Sequence, residues 1–339
     1  MATISDIAKV AGVSPKTVSN VLSGRLRANR RDAVTRAQRI RQVALEMNYR
    51  PNTAARAMST GRFDALALIH GSNVGHRFMP ERLWTGIHEA AEEHGQKILS
   101  SVVNDARLTD ADAMPHLLSE FSVDGLLIDY LHDAPDRMID LLDTHQLPAI
   151  WINHKREQDC VYPDDDWAGS TSTRALLELG HQRIAFVNRR SDSHFSVTDR
   201  RSGYERAMRE AGLTPVELDL PSEEPLMIAD ACLDLLRSPD RPSAVFCYGS
   251  SEAMGLIHAA ARLGLDVPRD LSVVAVSHNF AHELGFHISL ARHYFSEVGR
   301  VAIARLLDKI AAPSVAIDPI SIQGTWHEGQ TLAPPRSTP

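Results

Sequence analysis

Lys16, Thr17 and Asn20 put an ammonium, a hydroxyl and a carboxamide at positions i, i+1 and i+4, which a helix gathers on one side. Val18, Val21 and Leu22 mark the opposite, apolar side of the same segment. An exposed carboxamide can pair bidentately with adenine, a lysine can reach guanine or phosphate, and a threonine methyl can touch thymine. That chemistry requires a short helix held rigidly by its neighbours. Upstream, Thr3 and Asp6 have capping-box spacing, and Ile7, Val10 and Ala11 form a first helical stripe that Gly12 and Val13 break. Ser14 can cap the second helix, with Pro15 at its first position, where a missing N–H costs nothing. Ala33, Ala37, Ile40, Ala44 and Met47 predict a third helix over about 31–48. Three such helices make a helix-turn-helix headpiece, residues 1–50, whose second helix would enter a major groove. The alternative is a helical cap or protein-docking module that happens to be basic.

Charge separates these readings. Residues 1–60 hold eleven Lys/Arg against three acids, a net +8, although the chain as a whole carries −7. The other 279 residues hold 25 basic and 40 acidic side chains, a net −15. A small basic module joined to a large acidic one attracts phosphate locally, whatever the total says. Residues 51–61 read as a hinge. Pro51 stops the third helix, and Asn52 can cap a seven-residue, Ala-rich helix to Met58 that carries Arg56. Seven residues are marginal alone, so such a helix orders against DNA or a second copy of itself; otherwise the segment is a linker.

From Phe63 onward, apolar runs alternate with helical stripes. Strands are expected at 63–69, 97–103, 125–130, 148–152, 183–188, 243–248, 271–276 and 315–322. Helices are expected near 81–94, 111–120, 135–144, 168–179, 200–211, 226–237, 251–263 and 294–310. This predicts an α/β core, residues 62–328, with parallel sheets covered on both faces. Two lobes are expected, one of about 62–163 plus 293–328 and one of about 164–292, with a disordered tail at 329–339. Ligands bind beyond the carboxyl ends of such strands. Candidate cleft stretches are therefore 70–77, 129–132, 153–156, 188–193, 249–251 and 277–279.

Several chemistries have no support. There is no GxGxxG after the first strand, no GxxxxGK[ST] and no GxSxG, so no cofactor, nucleotide site or catalytic residue is signalled. His278, His282 and Glu283 resemble half a metal site without a third ligand, so no metal is expected. Asp164, Asp165 and Asp166 could chelate magnesium, but carboxylates there also suit the start of a helix. Cys160, Cys232 and Cys247 lack metal-ligand spacing, no signal peptide opens the chain and no apolar run approaches a membrane span. A cytoplasmic protein without membrane contact is expected.

The combination resembles the lactose-repressor (LacI/GalR) family of transcription regulators over about residues 3–325. TISDIAKVAGVSPKTVSNVL is close to the family's DNA-binding signature and YRPNTAARAM to its hinge; GHQRIAFV, RRSGYERAMREAG and GLDVPRDLSVVAV match further on. The resemblance implies a homodimer with a periplasmic-binding-protein-like core that senses a small molecule and binds a pseudopalindromic, double-stranded operator. It implies DNA contacts from Thr3, Ser14, Lys16, Thr17, Asn20, Tyr49, Asn52, Ala55, Arg56 and Met58, with Met58 as the minor-groove wedge where the family has leucine. Asn20 stands where the family has arginine. Effector contacts are expected from His70, Arg77, Phe78 and Trp151 and, at positions that match the family's pattern, from Arg200, Ser250 and Ser277. Ser250 and Ser277 replace family aspartates while Arg200 is kept, so an acidic effector such as a sugar acid is expected ahead of a neutral sugar or polyol. The alternative for Arg200 is a pair with Asp199 or another nearby acid. The function expected is a ligand-responsive repressor; a solute-binding protein or an enzyme on the same core are the alternatives.

Overall fold

The computed structural model describes residues 2–22, 31–50, 61–71, 79–103, 123–130, 136–144, 146–189, 194–220, 225–279, 285 and 287–336. The hinge residues Asn52, Ala55, Arg56 and Met58, the cleft candidates Arg77 and Phe78, and the expected helix at 111–120 lie outside the described residues. The chain forms two compact units, Met1–Phe63 and Asp64–Pro339.

In the first unit α1 (Ile4–Ala11), α2 (Pro15–Leu22) and α3 (Arg31–Glu46) close over one apolar cluster. Its centre is Ile7, Val18, Val21, Ala37, Ile40 and Val43, all buried. The expected capping box is formed: Thr3 Oγ1 accepts from the Asp6 N–H, and Asp6 accepts from the Thr3 N–H. Gly12 ends α1 at φ 67°, a conformation that only glycine adopts without penalty.

The second unit contains two six-stranded sheets. In the first the order is β11 (Ile320–Ile322), β5 (Cys160–Pro163), β4 (Ala149–Ile152), β3 (Gly125–Asp129), β1 (Ala65–Gly71), β2 (Lys97–Val103), all parallel. Alternation along β1 sends Leu66 and Leu68 toward α4 (Glu81–Glu93) and α10 (Phe295–Ala311), and Ala67 and Ile69 toward α5 (Asp136–Thr144). Both faces are covered, which is why β1 reads as an unbroken apolar run.

The second sheet has the order β12 (Thr325–His327), β10 (Ser289–Arg292), β9 (Ser272–Ser277), β8 (Ala244–Cys247), β6 (Ile184–Arg189), β7 (Val216–Leu220). Only β12 is antiparallel to its neighbour. The face of Ile184 and Phe186 packs on α6 (Asp165–Glu178) and α7 (Phe195–Glu210). The face of Ala185 and Val187 packs on α8 (Pro225–Arg237) and α9 (Ser250–Arg262).

Three expectations change. Helices α6 and α7 begin earlier than their apolar stripes suggested, at Asp165 and Phe195, because their caps, Asp164 and His194, lie well ahead of the stripes. The strand expected at 315–322 is confined to β11, and the chain then crosses at Gln323–Gly324 to add β12 to the other sheet, so residues 325–328 belong to the second lobe. The tail is not disordered as far as Arg336. Thr331 is fully buried, donating to the Val273 carbonyl and accepting from the Ser289 N–H, and the Ala333 N–H reaches Ser272. Composition hid this, because the anchoring comes from the Thr331 hydroxyl, a few backbone groups and the single half-buried Leu332 rather than from an apolar run.

Candidate nucleic-acid interface and ligand cleft

The start of α2 is fixed by Ser14, whose Oγ accepts from the Thr17 N–H at 3.2 Å and lies 2.9 Å from Thr17 Oγ1. With Val18 and Val21 turned into the core, Lys16 is exposed and Thr17 and Asn20 are half-buried on the outer side. Thr3 and Ser14 are exposed, and both hydroxyls are engaged in capping. Hydrogen bonds from Thr3 hold the Asp6 carboxyl below its ordinary range. Tyr49 is half-buried against the cluster, its N–H bonded to the Ala44 carbonyl. The outer side of α2 carries a cation, a hydroxyl and a carboxamide, the set needed to read base edges.

In the larger unit the chain passes between the lobes at Asp164, at 293–294 and at 323–324, judged by which sheet the flanking strands join. Contacts between the lobes come from residues beyond the carboxyl ends of strands. His194 Nε2 donates to the Asn153 carbonyl at 2.9 Å, Lys155 pairs with Asp199 at 2.6 Å, and Arg82 reaches Asn279 at 3.3 Å. These ends therefore face each other across a cleft, where open α/β sheets bind ligands.

The centre of the second lobe's wall is a buried ion pair. Arg200 Nε donates to Asp165 Oδ1 at 2.6 Å, Nη1 donates to the Tyr248 carbonyl, and the guanidinium lies 4.3 Å from the Tyr248 ring centroid. His293 Nε2 stands 2.8 Å from the same Asp165 oxygen and 3.4 Å from Arg200 Nη2. One nitrogen cannot donate to Asp165 and accept from Arg200 together, so the shorter contact fixes Nε2 as the protonated nitrogen. Burial opposes charge on Asp165, but Arg200 and then His293 hold its carboxyl well below the usual range. Burial likewise opposes charge on Arg200, and Asp165 more than offsets it. The helices that present the pair can touch because Gly169 and Gly203 lie at their crossing. A Cβ at Gly203 would stand 2.2 Å from the Asp166 carbonyl oxygen, and one at Gly169 would stand 2.1 Å from that of Arg200.

Around this pair runs a relay. His194 Nε2 is a donor, so Nδ1 accepts from Ser196 Oγ at 2.7 Å, and Ser196 Oγ accepts from the Tyr248 hydroxyl at 2.7 Å. On the first lobe His70 Nδ1 donates to Asp129 Oδ2 at 3.0 Å. Asp129 Oδ1 and Asn188 Oδ1 are buried at the carboxyl ends of β3 and β6 without a protein partner. Burial pushes the pKa of His278 down, leaving that ring more readily neutral.

The expected effector residues divide. His70, Arg200 and Ser277 lie at the carboxyl end of the sheets; Ser277 Oγ accepts from the Asn279 N–H, and its carbonyl accepts from the His293 N–H. Ser250 is the first residue of α9 and half-buried. Trp151 is not in the cleft: strand alternation turns it into the α5-facing core, 4 % exposed and under Arg156. The charge balance is corrected too, since Arg200 carries its own counter-ion. The partner is Asp165, and Asp199 is taken by Lys155. Of the three consecutive aspartates, Asp164 caps α6, Asp165 pairs with Arg200, and Asp166 pairs with Arg206. Sequence reading missed Asp165, His194, Ser196, Tyr248 and His293.

Comparison with known proteins agrees with both units. A family model described as bacterial regulatory proteins, lacI family, matches residues 3–52, and one described as a periplasmic binding protein-like domain matches 173–332. The chain is 29 % identical to the HTH-type transcriptional repressor PurR of Pectobacterium carotovorum, covering 98 % of this chain and 97 % of that protein. It is 27 % identical to the repressor of the same description from Vibrio atlanticus, covering 91 % and 92 %. A LacI family transcriptional regulator from Mycobacterium smegmatis superimposes with a TM-score of 0.65 at 26 % identity, over 80 % of this chain and all of the other. The lac repressor dimer bound to operator and an anti-inducer shares the fold at a TM-score of 0.79 and 20 % identity, over 98 % and 99 %.

Proposed function

The chain belongs to the lacI family of bacterial regulatory proteins, a family of DNA-binding transcription regulators, and from that premise we propose that it is a dimeric, ligand-responsive repressor. The observation that carries the reading is the outward face of α2, with Lys16, Thr17 and Asn20 on one side of a helix whose other side is core. Residues 1–50 act as headpiece and 51–61 as hinge, two copies reading the halves of a pseudopalindromic operator in the cytoplasm. Arg56 and Met58 of the hinge serve the minor groove. The protein performs no catalytic step; its output is the coupling between effector and operator binding.

The effector occupies the interlobe cleft, contacted by His70, Ser250 and Ser277 together with Asp129 and Asn188. It is a small molecule rich in hydroxyl or amine donors, a sugar or polyol ahead of a sugar acid. Two buried acceptors without partners favour donors, and the guanidinium that would attract a carboxylate is already neutralised. The test is a mobility-shift assay with genomic fragments, followed by a thermal-shift screen of sugars, polyols and sugar acids. Equal affinity for all fragments would overturn the repressor reading. A tight acidic effector whose binding Arg200→Ala abolishes would overturn the effector class.

A further inference from the structure

A second concavity lies in the first lobe, away from the cleft. It opens on the α5-covered face at the amino ends of β4 and β5 and encloses about 250 Å³. One wall is apolar: Ile139 and Leu142 of α5, Leu147 and Pro313. The other is basic. Arg156 stands over the indole of Trp151, its Cζ 4.6 Å from the ring centroid. Among the described residues no carboxylate lies within 4.0 Å of its guanidinium, and no hydrogen bond engages it. Among the described residues its five N–H donors remain unused, and the cation–π contact with Trp151 holds the guanidinium in place.

Beside it Lys309, 9 % exposed, gives one N–H to Asp159 Oδ2 at 2.8 Å and one to the Val315 carbonyl at 2.9 Å. An ammonium has three, so one donor is uncommitted. Asp159 Oδ1 accepts from the Ile317 N–H at 3.0 Å, and its own N–H donates to the Ile317 carbonyl at 2.8 Å, so the loops behind the concavity are pinned together. Its backbone sits at φ 55° and that of Gln146, also on the rim, at φ 48°. Both are positive-φ positions in non-glycine residues, which surrounding structure must hold in place. Two cations against one carboxylate leave a surplus positive charge in a half-apolar concavity.

We propose that this concavity is a second ligand site, for a small carboxylate carried on a compact apolar body. The carboxylate takes the in-plane edge of Arg156 and the remaining Lys309 donor, and the body lies against Leu142 and Leu147. The volume is just below the usual range of small-molecule sites, which restricts the ligand to a compact body, about one six-membered ring with its carboxylate.

Benzoate is the probe, titrated calorimetrically into the full chain, with benzamide as its uncharged counterpart and inorganic phosphate as an anion without an apolar body. Saturable benzoate binding is expected below about 10 mM, with benzamide and phosphate at least about tenfold weaker. Arg156→Gln, which removes only the charge and fork, and Ser314→Phe, which fills the space from its rim, should each weaken benzoate at least about tenfold. Both should keep the parent's thermal transition. Binding left unchanged by either variant places benzoate elsewhere, the cleft included, and overturns the proposal, as does no saturation by about 50 mM. Benzamide or phosphate binding as tightly as benzoate would overturn the ligand class.

Discussion

Replacing Asp165 by Asn tests the central electrostatic argument. The carboxylate is 1 % exposed, and one of its oxygens faces both Arg200 and His293. Asparagine keeps the shape and can still accept one hydrogen bond, but it leaves the Arg200 guanidinium buried without a counter-ion. Breaking a buried pair by removing one partner costs about 3–5 kcal/mol, far more than the net worth of the pair itself. For a unit of this size about 3 kcal/mol corresponds to a drop of roughly 5 °C in the transition of the larger unit. The pH dependence follows from the depressed carboxyl. Its stabilisation is complete above the unfolded carboxylate range near pH ~4 and is lost as the pH falls through the lower folded value. The parent should therefore lose stability below about pH 4, and the variant should show a shallower acid limb because that loss has already been taken. The control is the double variant Asp165→Leu with Arg200→Met, which removes both charges and should recover at least half of the loss. Urea unfolding of the full chain, followed by near-ultraviolet circular dichroism over a range of pH, measures all three. A single variant within about 1 kcal/mol of the parent, or a double variant no better than the single, refutes the reasoning.

Asn20→Ala should weaken binding to the specific operator by about 1–3 kcal/mol while binding to random DNA at the same salt concentration changes little; equal losses on both would show that Asn20 reads no base. Gly203→Ala should cost more than 2 kcal/mol in urea unfolding, on the order of a severe core defect, because its Cβ would meet the Asp166 carbonyl oxygen at 2.2 Å. Ending the chain after Glu328 should lower the thermal transition by several degrees, since it removes the buried Thr331 bonds and leaves the Val273 carbonyl and the Ser289 N–H unpaired; an unchanged transition would mean that those bonds contribute nothing.

The headpiece was legible because its determinants are local. The capping box spans three residues, and the three helical stripes needed no partner to be seen. The strands were legible where they are long enough to show an apolar run, which includes β2 although most of it is exposed at the sheet edge. Those that escaped, β5, β7, β10 and β12, are three to five residues long, and β7 is an edge strand with exposed Val216 and Glu217. Trp151 was misassigned although its strand gave the information. Ile150 and Ile152 share one face and Trp151 takes the other, and with both faces buried a tryptophan near a strand end is core. The buried pair was illegible for a different reason. Asp165 is 35 residues from Arg200 and 128 from His293, so no spacing rule connects them. The aspartate run pointed to a helix start, which is true of Asp164 and conceals the separate task of its neighbour.

That pair also decides where the larger unit can bend. Asp165 opens α6, Arg200 lies on α7, and His293 directly follows β10, so all three belong to the second lobe although two of them adjoin crossovers. Contacts of 2.6 and 2.8 Å to one buried oxygen make that region a rigid platform. Rotation of one lobe against the other is then confined to the far side of the platform, at Asp164, Tyr294 and Gln323. Among the described residues, the polar contacts that rotation must break include Asn153 with His194, Arg82 with Asn279, and Lys155 with Asp199. Lys155 is 45 % exposed, and an ion pair that open to solvent contributes at most about 1 kcal/mol. The strong interaction thus sits inside one lobe and weak ones bridge the two. An effector that fills the cleft competes with bridges of this kind and with the edge-to-face ring pairs Tyr162–Phe195 and His278–Phe295, so modest differential affinity suffices to change the angle between lobes.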